Sequence, residues 1–375
     1  MVTVSGSHVR GCAIGYRLYD VGYEIDLAQV AARVPAEQLT RFVPSPEVAS
    51  ALSIPRPPLV VHLGAVALGG ALAGVPATLS ARVYDFGVIA MRLRVGEHAG
   101  PRSWDEFSAF GNRVTAALAT TTAFHDAIVG LCARLGPAID RPDLSEVTED
   151  YCVFRLAEWT LADGAPAALD TIPDAALTSL LLQEARPVNA ATTRALLPHR
   201  FSYYADDLAV LSWEHALVMA PGLEESDVEW VLEFANAQLL ELRYYDTRLG
   251  EDLPRLYAEI EAARRRGRWL FRRRFGKLLG RLYRVNADTT EVVERAEGAL
   301  KVTNDVYLAR IYGAAMEIFR AREWRADVDR KLGIIRDTYG MLNAEAQAGR
   351  SELLEWMIVV LIVAELAMAL YRGPG

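Results

Sequence analysis

The sequence predicts an α+β protein in three parts: a head over residues 1–250 built as a duplicated ferredoxin-like α/β sandwich, a helical coiled-coil stalk over 255–352, and a C-terminal transmembrane helix over 353–372. Three observations predict it. Up to about residue 250, segments with a two-residue apolar period take turns with segments of helical period. Beyond residue 255 the two-residue period stops, and apolar residues recur every three or four positions. The chain then closes on WMIVVLIVAELAMALY, Trp356 to Tyr371, sixteen residues in which Glu365 carries the only charge.

Residues 12–18 alternate larger apolar side chains with small or polar ones, as a half-buried strand does. Asp26 followed by Gln29 opens a helix carrying Leu27, Val30 and Val34. Residues 59–63 and 82–95 read as further strands, the second a hairpin broken near Asp85 and Gly87. Ser103 and Glu106 form a capping box ahead of a long segment over 107–135. The order then recurs, with a strand over 151–161, a helix over 175–184 and a strand over 207–219. A second box, Ser226 and Glu229, leads a helix through Val231, Phe234, Leu239 and Leu242. The two boxes lie 123 residues apart and predict a repeated β-α-β-β-α unit over about 1–140 and 145–250, its halves sharing one sheet or stacking. Coincidence between two common caps is the competing reading.

In the stalk, 291–319 is helix-periodic, and Trp324, Val328, Leu332, Ile335, Tyr339 and Leu342 follow the seam of a coiled coil. These two segments are expected to pack as an antiparallel hairpin, with an ordinary helical bundle as the alternative. No proline falls between Pro254 and Pro374, so one helix is expected from about Glu323 to Tyr371, roughly 70 Å long at 1.5 Å per residue. With Leu353 and Leu354 added, the apolar end reaches the lower edge of the roughly 17–25 residues a membrane span needs. A buried helix closing a soluble domain is the other reading. Glu365 would cost a few kcal/mol at the centre of a span unless protonated, near the interface or paired across helices, so the tails are expected to self-associate.

The formal charge of −8 is unevenly spread. Residues 264–284 hold ten basic groups and no acid (Arg264, Arg265, Arg266, Arg268, Arg272, Arg273, Arg274, Lys277, Arg281, Arg284), interleaved with Trp269, Phe271 and Phe275, which leaves the rest of the chain at −18. Such a segment suits anionic lipid headgroups or the phosphates of RNA, and a solvated linker is the plain reading. The aromatic and leucine content favours lipid. Cys12, Cys132 and Cys152 lack metal spacing and are expected to be reduced and buried. Six single histidines form no metal pair, and His125 beside Asp126 or His215 near Ser212 could enter a triad only by assembly in space. The Gly64–Gly74 loop matches no phosphate-cradling pattern, and acidic pairs such as Glu224 and Glu225 fit a helix start. No catalytic residue, metal or cofactor is expected.

The tail Leu354, Glu355, Trp356, Met357, Ile358, Val359, Val360, Leu361, Ile362, Val363 with Glu365 resembles the terminal motif of the family named "required for meiotic nuclear division". Weaker likenesses are VYDFGVIA at Val83, the strand from Ala205 to Trp213, and the stretch from Leu239 to Leu253. The region before Val60 matches weakly, and the basic insert is not a general family mark. The resemblance implies a membrane-anchored, oligomeric protein without known enzymatic activity, and mitochondrial members are linked to organelle translation. It makes Leu354, Glu355, Trp356, Ile358, Leu361, Ile362 and Glu365 the expected membrane and oligomer contacts. The Ala, Gly and Arg richness and the absence of a recognisable leader resemble bacterial members more than mitochondrial ones.

The function expected is therefore a scaffold or recruitment protein on a single-pass C-terminal anchor, its head facing the cytoplasm, in a bacterial inner membrane. Its expected partners are the bilayer and further copies of itself. Two alternatives stand: a membrane-associated hydrolase of phosphate-containing substrates with a dispersed site in the head, and a module tethering RNA or ribosomes through the Arg-rich segment.

Overall fold

The structure, a computed structural model, describes residues 7–43, 45–46, 56–97, 100–161, 164–166, 172, 174–184, 186, 188–204, 206–222, 225–265, 280, 287 and 307–372. The strands are β1 (His8–Asp20), β2 (Glu24–Ile25), β3 (Leu39–Arg41), β4 (Leu59–Ala65), β5 (Ala77–Val83), β6 (Val88–Val95), β7 (Arg102–Ser103), β8 (Ile139–Asp140), β9 (Thr148–Thr160), β10 (Arg200–Phe201), β11 (Leu208–Leu211) and β12 (His215–Met219). The helices are α1 (Leu27–Arg33), α2 (Trp104–Leu118), α3 (Ala123–Leu135), α4 (Asp174–Leu181), α5 (Ala190–Leu196), α6 (Asp227–Arg265), α7 (Tyr307–Ile318) and α8 (Ala321–Arg372). The chain divides into two compact units, one of Met1–Tyr244 with Glu294–Trp324, the other of Tyr245–Val293 with Arg325–Gly375.

The first unit is built on one mixed sheet in the order β10-β11-β12-β9-β1-β6-β5-β4-β3, with β7 also on β1. The long β1 and β9 form its antiparallel centre, paired from His8–Thr160 to Tyr19–Thr148 with a register shift at Arg10/Gly11. The β5–β6 hairpin turns at Asp85, Phe86 and Gly87. Gly87 has φ +93, and a Cβ there would fall 1.9 Å from the Gly22 carbonyl oxygen, so only glycine fits.

Side-chain parity sorts these strands onto two faces. On one, Ala13, Ala81, Val83, Met91, Leu93 and Phe154 meet Phe107, Phe110 and Val114 of α2, Phe124 and Ile128 of α3, and Leu177 and Leu180 of α4. On the other, Ile14, Tyr16, Leu18, Ala90 and Val153 meet Trp230, Val231 and Phe234 of α6 and Leu308, Ile311 and Tyr312 of α7. α2 begins with the expected capping box, Ser103 and Glu106 each bonding the other's backbone N–H. The single segment expected over 107–135 is two helices, because Thr120, Thr121 and Thr122 interrupt it. Thr120 Oγ1 bonds the Ala116 and Ala117 carbonyls and Thr121 Oγ1 accepts from Ala123 N, local bonds that compete with the helix.

The second unit packs Leu249, Leu256 and Ile260 of α6 against Val328, Leu332 and Ile335 of α8, flanked by Tyr245, Leu253 and Tyr339. Lys331 Nζ donates to the Asp246 carbonyl and carboxylate at 2.7 Å each. α6 continues through Pro254, whose missing N–H would have bonded the carbonyl of Gly250.

The expectations need three corrections. The repeated ferredoxin-like unit is not confirmed: β1 pairs β6 antiparallel, whereas β9 pairs β12 parallel. The strand over 207–219 is a hairpin of β11 and β12. α7, from the segment expected in the stalk, lies on the sheet, and among the described residues the Val328–Tyr339 seam packs against the second half of α6.

Candidate functional site

Beneath the first turns of α6 the apolar second face gives way to charge. Three strands point arginines into it, Arg82 from β5, Arg92 and Arg94 from β6, and Arg155 from β9, with Tyr16 of the intervening β1 between them. Helical spacing sets Glu229 and Glu233 of α6 on one face above them, and Glu225 precedes the helix. Arg82 Nη1 donates to Glu233 at 2.7 Å, and its Nη2 lies 2.8 Å from each oxygen of Glu225. Arg92 Nη1 donates to Glu225 at 3.0 Å, and its Nε stands 3.4 Å from Glu233. Arg94 reaches Glu97 at 2.6 Å and Glu229 at 3.5 Å. Arg155 faces Glu229 at 3.5 Å and donates to the Gly222 carbonyl at 3.2 Å. The Tyr84 hydroxyl donates to Glu233 at 2.9 Å.

Arg82, Glu229 and Glu233 have fully buried side chains, whereas that of Glu225 is 26% exposed. Burial alone would push the Glu225 carboxyl up, but Arg82 and Arg92 outweigh it and hold the group at about 2. Burial pushes Glu229 up against the pull of Arg155, Arg94 and Arg92, and Glu233 up against that of Arg82 and Arg92. The arrangement can hold anions in a dry, donor-rich place. It contains no poised nucleophile: Cys12 at its edge is pushed up to about 12 by burial.

His215 and Ser212 do not make a triad. The imidazole lies between the Leu181 carbonyl (3.1 Å from Nδ1) and Gln183 Nε2 (3.1 Å from Nε2), and Ser212 Oγ donates to the His215 carbonyl at 2.8 Å. Burial pushes the ring down to about 4, so it is neutral at physiological pH. Among the described residues no three His, Cys, Asp or Glu side chains gather as a metal site. Cys12 and Cys152 are buried, Cys132 is half-buried, and all three are free thiols.

Of the tail residues, Ile358, Leu361 and Ile362 are 50–65% exposed on α8, and Glu365 is exposed with them. Leu354, Glu355 and Trp356 are helical, with side chains outside the described residues. Arg264 and Arg265 end α6, their side chains likewise outside it. Arg266, Arg268, Trp269, Arg272, Arg273, Arg274, Lys277, Arg281 and Arg284 lie outside the described residues altogether. Among the described residues no single helix is long and apolar enough to cross a membrane. α2 with the segment Ala123–Ala138 passes only as a pair bent by 52°, and both bury their apolar sides in the core.

The charge layer goes beyond what local spacing predicts: Glu225 fits a solvated helix start and Glu229 a cap, yet Glu229 reaches the Ser226 N–H only at 3.5 Å and turns inward to the arginines. The available signals were Arg82, Arg92, Arg94 and Arg155 flanked by apolar residues within their strands, and acids at 225, 229 and 233, four residues apart.

Fold and site together define an α+β protein on a single mixed sheet, with a buried layer of ion pairs under one covering helix. The chain belongs to the family described as "Uncharacterized protein MJ0711, N-terminal domain", which matches it over residues 10–225. A relative bearing the name "Uncharacterized protein MJ0711", from Methanocaldococcus jannaschii, is 26% identical over 224 residues, 60% of this chain and 66% of the relative. The chain thus spans just under two thirds of that relative's length. No solved structure matches. The family match takes in all four arginines and Glu225 and stops before Glu229, α7 and the apolar tail.

Proposed function

We propose that the protein is a non-enzymatic scaffold held to a membrane by the end of α8, with its sheet-bearing unit on the cytoplasmic side. The observation that carries this reading is the exposed apolar run at 357–363, each residue 48–65% exposed, with Met368 beyond it. A contiguous apolar surface of this kind calls for a partner phase. Residues 353–371, several of whose side chains lie outside the described residues, would measure roughly 28 Å as a helix, close to the thickness of a bilayer's hydrocarbon. The likeness of this tail to the "required for meiotic nuclear division" family supports the same reading, and the arginine-rich 264–284 segment suits anionic headgroups. Glu365 within the run favours association of tails through interhelical hydrogen bonds.

Flotation with anionic liposomes tests it. The full chain should float with the vesicles, and a chain ending before Leu353 should stay below. A full chain that remains monomeric in the supernatant without detergent after ultracentrifugation would sink the proposal. Glu365→Leu should reduce the oligomer size seen by mass photometry in mild detergent.

A further inference from the structure

The three acids above the arginines are not equivalent. Glu229 and Glu233 are fixed by the helix and fully buried, whereas Glu225 enters from the open side, its side chain 26% exposed. Arg94 at 17% and Glu97 at 25% are partly exposed as well. Both oxygens of Glu225 sit in a fork made by Arg82 Nη2 and Arg92 Nη1, at 2.8, 2.8 and 3.0 Å. Guanidinium groups present that fork equally to a carboxylate or a phosphate.

Donors here outnumber acceptors. Arg82 Nε and the Tyr16 hydroxyl are buried and have no hydrogen-bond partner among the described residues. The Arg92 guanidinium lies over the Tyr16 ring, 5.6 Å from its centroid, which places that hydroxyl in the same neighbourhood. A carboxylate offers two oxygens, and a phosphate offers more in tetrahedral directions. Such an excess in a buried network suits a group that accepts more hydrogen bonds than a carboxylate does.

We propose that the arginines under the start of α6 form a binding site for a small phosphate-bearing anion, in which the Glu225 carboxylate is the built-in competitor. The ligand's oxygens replace Glu225 on Arg82 and Arg92. Glu225 leaves by rotation about its own side-chain bonds toward the solvent it already touches. Glu229 and Glu233 stay in place, and their charge restricts the site to a single anion.

The test uses the full chain in mild detergent, with inorganic phosphate and glycerol 3-phosphate titrated at fixed ionic strength and followed by 31P NMR and thermal melting. Glu225→Gln should bind inorganic phosphate about tenfold more tightly than the unaltered chain, because a tethered competitor is gone. Adding Arg92→Gln to Glu225→Gln should abolish the gain. Tighter binding of glycerol 3-phosphate than of inorganic phosphate would identify a lipid headgroup as the source, and the reverse a free phosphate. If Glu225→Gln melts early, phosphate should restore its melting temperature. A folded Glu225→Gln chain that binds phosphate no better than the unaltered one, or an unfolded one that phosphate does not rescue, overturns the proposal.

Discussion

On the face of the sheet under α2, α3 and α4, Val83, Met91, Leu93 and Phe154 meet Phe107, Phe110 and Leu180, and the packing is mainly apolar. One residue away on the same strands, Arg82, Arg92, Arg94 and Arg155 meet Glu225, Glu229 and Glu233. The first face stabilises by removing apolar area from water, at roughly 25 cal/mol per Å². The second spends several kcal/mol per ion on desolvation and recovers it only when every partner is in place. What the second face gains is register. A one-residue slip of β6 would drive Arg92 and Arg94 into the apolar side, and a slip of α6 would strand them without acids.

Five outcomes test this contrast, in decreasing size. Glu233→Ala leaves Arg82 and the Tyr84 hydroxyl short of an acceptor and should cost about 3–5 kcal/mol in urea unfolding. Arg82→Met combined with Glu233→Leu should cost less than Glu233→Ala alone, since no buried charge of that pair is then left over. Losses that add, the double change costing as much as the two single changes together, would mean that the two charges are not coupled. On the apolar face, Gly111→Ala places a Cβ 2.6 Å from Leu180 Cδ1 and 2.8 Å from Phe154 Cε1. Overpacking of this kind should cost about 1–3 kcal/mol, independent of salt.

The last two outcomes concern pH. Glu225 is held at about 2, below its ordinary value of 4.5, so the unfolded chain binds the extra proton in that window. The stability it supplies is complete above pH 4.5 and is lost as pH falls toward 2; Glu225→Gln should flatten this limb of an acid melt. Glu149 behaves oppositely. It is bonded to Arg243, whose guanidinium also lies over Trp324, yet burial outweighs Arg243 and pushes its carboxyl up to about 7. Here the folded chain binds the extra proton, so this contribution is present below pH 4.5 and declines as pH rises through 7. Glu149→Gln should remove that decline, an effect on the order of 1 kcal/mol between pH 5 and 8.

Much of the fold was legible because period and capping are local properties. The strand centred on residues 12–18, the Ser103–Glu106 box and the Val328–Leu332–Ile335–Tyr339 seam need only neighbours in sequence. The exposed apolar run at 357–363 was visible as composition. The alternation of Arg92 and Arg94 with Met91, Leu93 and Val95 was visible too, but it describes a strand with a wet face as well as one covered by charge. Which it is depends on α6, more than a hundred residues later.

The sequence by itself therefore determined which side chains share a strand face, where helices start, and that residues 357–363 are an apolar run, since each follows from order along one backbone. Only the tertiary structure decided that α7 lies on the sheet, that the seam of α8 pairs with α6, and that Glu225, Glu229 and Glu233 close over four arginines. Those facts depend on pairings between distant segments, where periodicity is silent and the cost of an unpaired buried charge selects among the ways the elements can meet.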